Sequence, residues 1–302
     1  MRFRLADTLD YVFGEVGSTL GIEPSAAHGL IQAVRETKQS PHVFGAYYDL
    51  VLALEEDDID AARKHAAELF EHPPLPATSI TRIDERADHE EERYRRLFLS
   101  DLHAELPDDA LMADCRRRFD EAFALLDAGF PQMSAEIREL LREIVVAAGP
   151  EDPKALTFDG ASCYMLWGAI LLNARGQKTV LDTAQALAHE SGHNLLFGFS
   201  SSGPLVENAD DELFSSPLRK DPRPMDGVFH ATYVVARMHQ TLSRLIESGV
   251  LNTEQIAAAQ SDLAAHARNF EIGDSVVREG GRLTAVGRET IEAAREYMAS
   301  AA

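Results

Sequence analysis

Thr183-Ala184-Gln185-Ala186-Leu187-Ala188-His189-Glu190-Ser191-Gly192-His193-Asn194 sets an H-E-x-x-H pentad inside an alanine-rich run of helical character. Residues four apart lie one above the other on a helix, so His189 and His193 point the same way. Two imidazoles so placed can close on one metal ion from a rigid base, with Glu190 beside them. Asp182 or Thr183 is the expected cap at the helix start.

Just upstream, Cys163–Trp167 and Ala169–Asn173 are short apolar runs broken by Gly168, and their length and aromatic content predict strands. A strand leading into such a helix can be an ordinary core strand, or it can offer its edge to an extended peptide. On the second reading Tyr164, Trp167 and Asn173 are candidate substrate contacts.

Downstream, Gly198 to Gly227 is a long irregular segment of the kind that is usually functional. Its stretch Ser215-Ser216-Pro217-Leu218-Arg219-Lys220-Asp221-Pro222-Arg223-Pro224 is proline-stiffened and holds Arg219 and Arg223 in place. Val228 to Ile246 predicts a long amphipathic helix with His230 near its start. Arg237 lies two turns on and shares the His230 face, whereas His239 falls on the opposite side. Thr253 is the expected cap of a further helix, and Gly280-Gly281 separates it from a last one near Thr284.

The first 150 residues read as successive helices. Pro24 opens one, and Asp57 or Asp58 caps another bearing Ile59, Ala62, Ala66 and Leu69. A proline-rich connector at 72–76 precedes a charged helix from Glu85 to Leu102. Met112, Cys115, Phe119, Phe123 and Leu126 form a stripe that stops at Gly129. Ser134 is then expected to cap a helix through Ile144 and Val145, ended by Gly149-Pro150. The expected class is therefore mainly α (α+β): a multi-helix protein with a small β-sheet beside a zincin-like H-E-x-x-H helix. Residues 1–150 would be a scaffold or a peptide-recognition region, and 151–302 a metal-binding catalytic domain.

A formal charge of −21 repels nucleic-acid phosphates and anionic lipid, so neither is an expected partner. No apolar run approaches a membrane span, and the first residues lack the apolar core of a signal peptide. Two cysteines, Cys115 and Cys163, exclude a disulfide framework and suit a reducing cytoplasm.

Two histidines need a third protein ligand, with positions left open for water and substrate. Glu212, nineteen residues after His193, has a spacing that resembles the gluzincin metallopeptidases, where a later glutamate completes a zinc site. His230 is the other candidate, because it directly follows the stiff Arg/Pro loop.

The pentad, followed by Ser216 through His230, resembles the H-E-x-x-H peptide-modification proteins of ribosomal-peptide biosynthesis, over roughly residues 155 to 300. The resemblance implies an iron(II)- and 2-oxoglutarate-dependent β-hydroxylase acting on a precursor peptide. Three facial ligands would be His189, His193 and His230, or Glu212 in place of His230. Arg219, Arg223 and Arg237 are candidates for gripping the distal carboxylate of the keto acid, to which the arginine fork is suited. Glu190 would orient a ligand or the substrate amide. The alternatives are a zinc peptidase, with Glu190 as base and Glu212 as third ligand, and a non-catalytic, metal-stabilised peptide-binding protein.

Overall fold

The computed structural model describes residues 1–71, 74–75, 77–100, 103–151 and 157–301. It is mainly helical with a small sheet, as expected from the sequence. The chain forms two compact units, one of Met1–Asp108 with Leu141–Ala174, the other of Asp109–Leu140 with Arg175–Ala302. The chain thus passes between units three times, instead of once at the expected boundary near residue 150.

In the first unit, α1 (Arg2–Leu20), α2 (Pro24–Glu36), α3 (Pro41–Glu55) and α4 (Ile59–Glu68) share a core built on Leu9, Phe13, Val34, Phe44, Leu50 and Leu69. Pro24 opens α2, and the Asp58 carboxylate caps α4 by accepting from Ala61 N at 3.0 Å. The connector at 72–76 lies largely outside the described residues. Beyond it come β1 (Ser79–Arg82) and α5 (Asp88–Leu99). The charged helix is therefore shorter than expected at its start, and its expected end at Leu102 lies outside the described residues.

The sheet is completed by β2 (Glu143–Ala147), β3 (Gly160–Ser162) and β4 (Ala169–Asn173), in the order β1-β2-β4-β3. β1, β2 and β4 are parallel, and β3 runs antiparallel to β4. Every residue of β2 and β4 is buried, which explains the apolar runs Ile144–Ala147 and Ala169–Leu172 within them. Two expectations are corrected here. Ile144 and Val145 belong to a strand and not to the end of a helix, because the β-branched run Ile144-Val145-Val146 packs better on a pleated surface. Cys163–Trp167 is not a strand: Tyr164–Leu166 forms a 3-10 turn, and Gly168, at φ +93°, then swings the chain into β4.

The second unit contains α6 (Asp109–Gly129), α7 (Pro131–Leu140), α8 (Val180–Phe199), α9 (Met225–Glu247), α10 (Thr253–Gly280) and α11 (Ala285–Ser300). Ser134 lies inside α7, where its hydroxyl donates to Asp127 at 2.6 Å, and so is not the expected cap. A two-residue ladder, β5 (Leu213–Phe214) with β6 (Arg223–Pro224), closes the Arg/Pro loop. α9 is buried on most of its circumference, from Val228 through Leu245, which makes it the central helix of the unit. α6, α8, α10 and α11 pack against it. α10 is capped by Asn252, one residue before the expected Thr253, and α11 begins next to Thr284, where a last helix was expected, with Thr284 as its cap. No helix among the described residues is long and apolar enough to cross a membrane.

Candidate metal centre

The H-E-x-x-H helix α8 begins earlier than its sequence suggested. Its cap is Thr179, whose hydroxyl accepts from Asp182 N at 3.0 Å while Asp182 accepts from Thr179 N at 3.0 Å. This reciprocal capping box corrects the assignment of the cap to Asp182 or Thr183. The glycine of the pentad has its own purpose. A Cβ on Gly192 would stand 2.9 Å from Arg237 Cδ and 3.0 Å from Val234 Cγ1, so glycine allows α8 and α9 to meet closely beside the histidines.

The three predicted imidazoles come together across this contact. His189 Nε2 and His193 Nε2 lie 3.2 Å apart, and His193 Nδ1 is 3.1 Å from His230 Nδ1, with those two rings nearly parallel at 17°. Ligands about 2.1 Å from one ion stand roughly 3.0–3.4 Å apart, which fits the two Nε2 atoms. The same spacings suit a hydrogen-bond relay in which the neutral His193 ring donates from one nitrogen and accepts at the other. His193 meets its neighbours through opposite nitrogens, so closing all three on one ion requires one ring to turn.

All three rings are neutral at pH 7. Burial pushes His189 well below the usual histidine range, helped by His193, His266 and Arg219. Burial and then His230 bring His193 to about 3, and burial alone brings His230 to about 4. Neutral imidazole is the form that ligates a metal. Glu190 is buried, with Oε1 3.9 Å from His189 Nε2.

Two neighbours were missed by the sequence reading. Asp226, one turn before His230, places Oδ1 3.9 Å from His230 Nε2, and its i,i+4 spacing was a usable signal. His266 of α10 stands 2.8 Å from the Gln185 side chain, itself one turn before His189, and Gln185 donates to Asp262 at 2.9 Å. No local pattern in the sequence pointed to that contact.

The remaining candidates separate clearly. Glu212 is held by Arg282 and by Asn208, whose hydrogen bonds bring its carboxyl to about 2. Arg237 is buried and donates to Glu136 of α7, with Nε directed to Ala188 O at 3.4 Å. Arg223 pairs with Asp221 at 2.8 Å. Arg219 is exposed, has no ion pair among the described residues, and still lowers the His189 pKa by its charge. His239 meets the Tyr297 hydroxyl at 2.8 Å, in keeping with its place on the far face of α9.

The three substrate-contact candidates belong to the first unit. Tyr164 is 44% exposed, whereas Trp167 packs edge-on against Phe44 at 5.5 Å. Asn173 is buried, accepts from Gly149 N at 2.8 Å and donates to Phe158 O at 2.8 Å, so its amide ties strand ends together. β4 is paired on both sides, by β2 and β3, which corrects the idea that its edge could take an added strand.

No family model matches the chain, and a search of curated proteins finds no match.

Proposed function

We propose that this chain is an iron(II)- and 2-oxoglutarate-dependent peptide β-hydroxylase. The observation that supports the reading is that His193 lies against both His189 and His230, set beside a Glu212 carboxylate whose ion pair is with Arg282. In this reading the three histidines bind the ion, and the desolvated, uncharged rings need shed no proton to do so. Ferrous iron with 2-oxoglutarate and dioxygen, when bound, supplies insertion of one oxygen atom into a C–H bond, the other leaving in succinate as carbon dioxide is released. Arg219 takes the distal carboxylate of the keto acid, since Arg237 and Arg223 already answer Glu136 and Asp221. Glu190 orients the His189 ring or the substrate amide.

The substrate class is a precursor peptide. The net charge of −21 disfavours nucleic acid, and the two buried thiols, Cys115 and Cys163, which form no disulfide, go with a cytoplasmic location. A zinc peptidase that used Glu212 as third ligand would first have to break the Glu212–Arg282 pair. Anaerobic addition of iron(II) and 2-oxoglutarate tests the proposal: a weak visible charge-transfer band marks a chelated keto acid, and its absence rejects the oxygenase reading.

A further inference from the structure

The first unit gathers a second set of donors that the proposed oxygenase does not use. His42 stands in the first turn of α3, His89 and Glu90 in the first turn of α5. One ring nitrogen of His42, one of His89 and one carboxylate oxygen of Glu90 all lie within 4.8 Å of one another. The His42 and His89 rings meet edge to face at 5.9 Å. Glu68, the last residue of α4, is buried beside them, with Oε2 3.6 Å from His42 Nε2.

Arg93 crosses the same space. It donates to Glu68 Oε2 at 2.6 Å and to Asp49 Oδ2 at 2.7 Å, and Nη1 lies 3.0 Å from His42 Nε2. Arg96 adds a second bond to Asp49 at 2.7 Å. Asp49, Glu68 and Glu90 bring three negative charges against two from Arg93 and Arg96. The carboxylates around the cluster thus outnumber its guanidinium groups, which favours a bound cation.

Two atoms point to that cation. His89 Nε2 and Glu68 Oε1 are buried and have no hydrogen-bond partner among the described residues. His65 Nδ1 stands 3.3 Å from Glu68 Oε1 without completing a hydrogen bond. Orphaned buried polar atoms call for an explanation, and an unplaced ion is one of the recognised ones. A cleft of about 320 Å³, lined by His65, Glu68, His89 and Arg93 among others, gives a way in.

We propose that His42, His89 and Glu90 hold a divalent transition-metal ion of the zinc class, with Glu68 as the adjoining carboxylate. Two imidazoles and one carboxylate suit zinc better than calcium or magnesium, which prefer oxygen donors throughout. Such an ion would join the first turns of α3 and α5 and give the unit a metal-dependent stability. The site does not depend on the chemistry proposed for α8.

The test uses the full chain, stripped with chelator, in a His189→Ala/His193→Ala background that silences the other centre. Zinc alone is titrated by calorimetry, and cobalt(II) replaces it for absorption spectra. One equivalent is expected to bind and to raise the melting temperature. Adding His89→Ala or Glu90→Gln is expected to weaken that binding by at least about tenfold and to abolish the thermal shift. Should His89→Ala not fold by circular dichroism, Glu90→Gln, which changes one ligand atom, carries the comparison. No zinc bound in the background protein, or binding unaltered by Glu90→Gln, overturns the proposal.

Discussion

Glu212 and Arg282 form a two-pronged ion pair, with Nη2 to Oε1 at 2.6 Å and Nη1 to Oε2 at 3.0 Å. The pair is exposed and worth little by itself, but the polar contacts of Glu212 among the described residues are to Arg282, Asn208 and Ala209, and none is to a histidine. Glu212→Ala is therefore expected to leave the metal content unchanged, and His230→Ala to weaken binding on the order of 100-fold. Elemental analysis of the two variants after dialysis against chelator makes the comparison. Metal lost from Glu212→Ala and kept by His230→Ala would reverse the assignment.

Arg219 and Arg237 are expected to respond differently to the same substitution. Arg219→Gln should raise the dissociation constant for 2-oxoglutarate by about 10- to 100-fold with no loss of stability, as for losing one charge-assisted pair at a surface site. Arg237→Gln should instead lower stability by about 1–2 kcal/mol, because it removes the buried guanidinium stem from the α8–α9 contact while Glu136, 40% exposed, stays solvated. Keto-acid titrations and urea unfolding read the two effects separately. A destabilised Arg219→Gln with intact keto-acid binding would contradict this division.

Gly192→Ala tests the close approach of α8 to α9. The added methyl meets Arg237 and Val234 at 3.0 Å or less, so a cost of about 1–3 kcal/mol is expected despite the better helix propensity of alanine. A variant as stable as the parent in urea would show that the helices yield freely.

The Glu68–Arg93 pair makes the first unit sensitive to acid. Burial opposes ionisation of Glu68, but the close His42 and His65 rings and the hydrogen bond from Arg93 outweigh it and hold the carboxyl far below the usual range. A depressed native value contributes stability that is complete above the unfolded-state value, about pH 4.3, and is lost progressively as the pH falls below it. In metal-free protein, Glu68→Gln is expected to cost about 3 kcal/mol at pH 7, the low end for a broken buried pair because Asp49 remains. The gap from the parent should narrow below pH 4. A constant gap from pH 7 to pH 3 would assign the loss to packing alone.

Much of the second unit could be read from residue spacing. Periodicity near 3.6 placed His189 over His193 on α8, and His230 with Arg237 on one face of α9, because a helix carries its own register. What escaped depended on partners distant in sequence. Glu136 comes from α7, in a stretch assigned to the other half of the chain, so the neutralisation of Arg237 could not be foreseen. Ile144 and Val145 fit a helical stripe as well as a buried strand, and only pairing with β1 and β4 decides between them. His42 of α3 lies 47 residues before His89 and Glu90 of α5, with no motif linking them.

The central claim is a histidine-bound ferrous centre that chelates a keto acid. Its most direct measurement is the visible spectrum of the anaerobic protein with iron(II) and 2-oxoglutarate, taken for the parent, Glu212→Ala and His193→Ala. The band is expected in the first two and not in the third. No band in the parent, together with peptide cleavage by the zinc form that is lost in Glu190→Gln, would contradict the account.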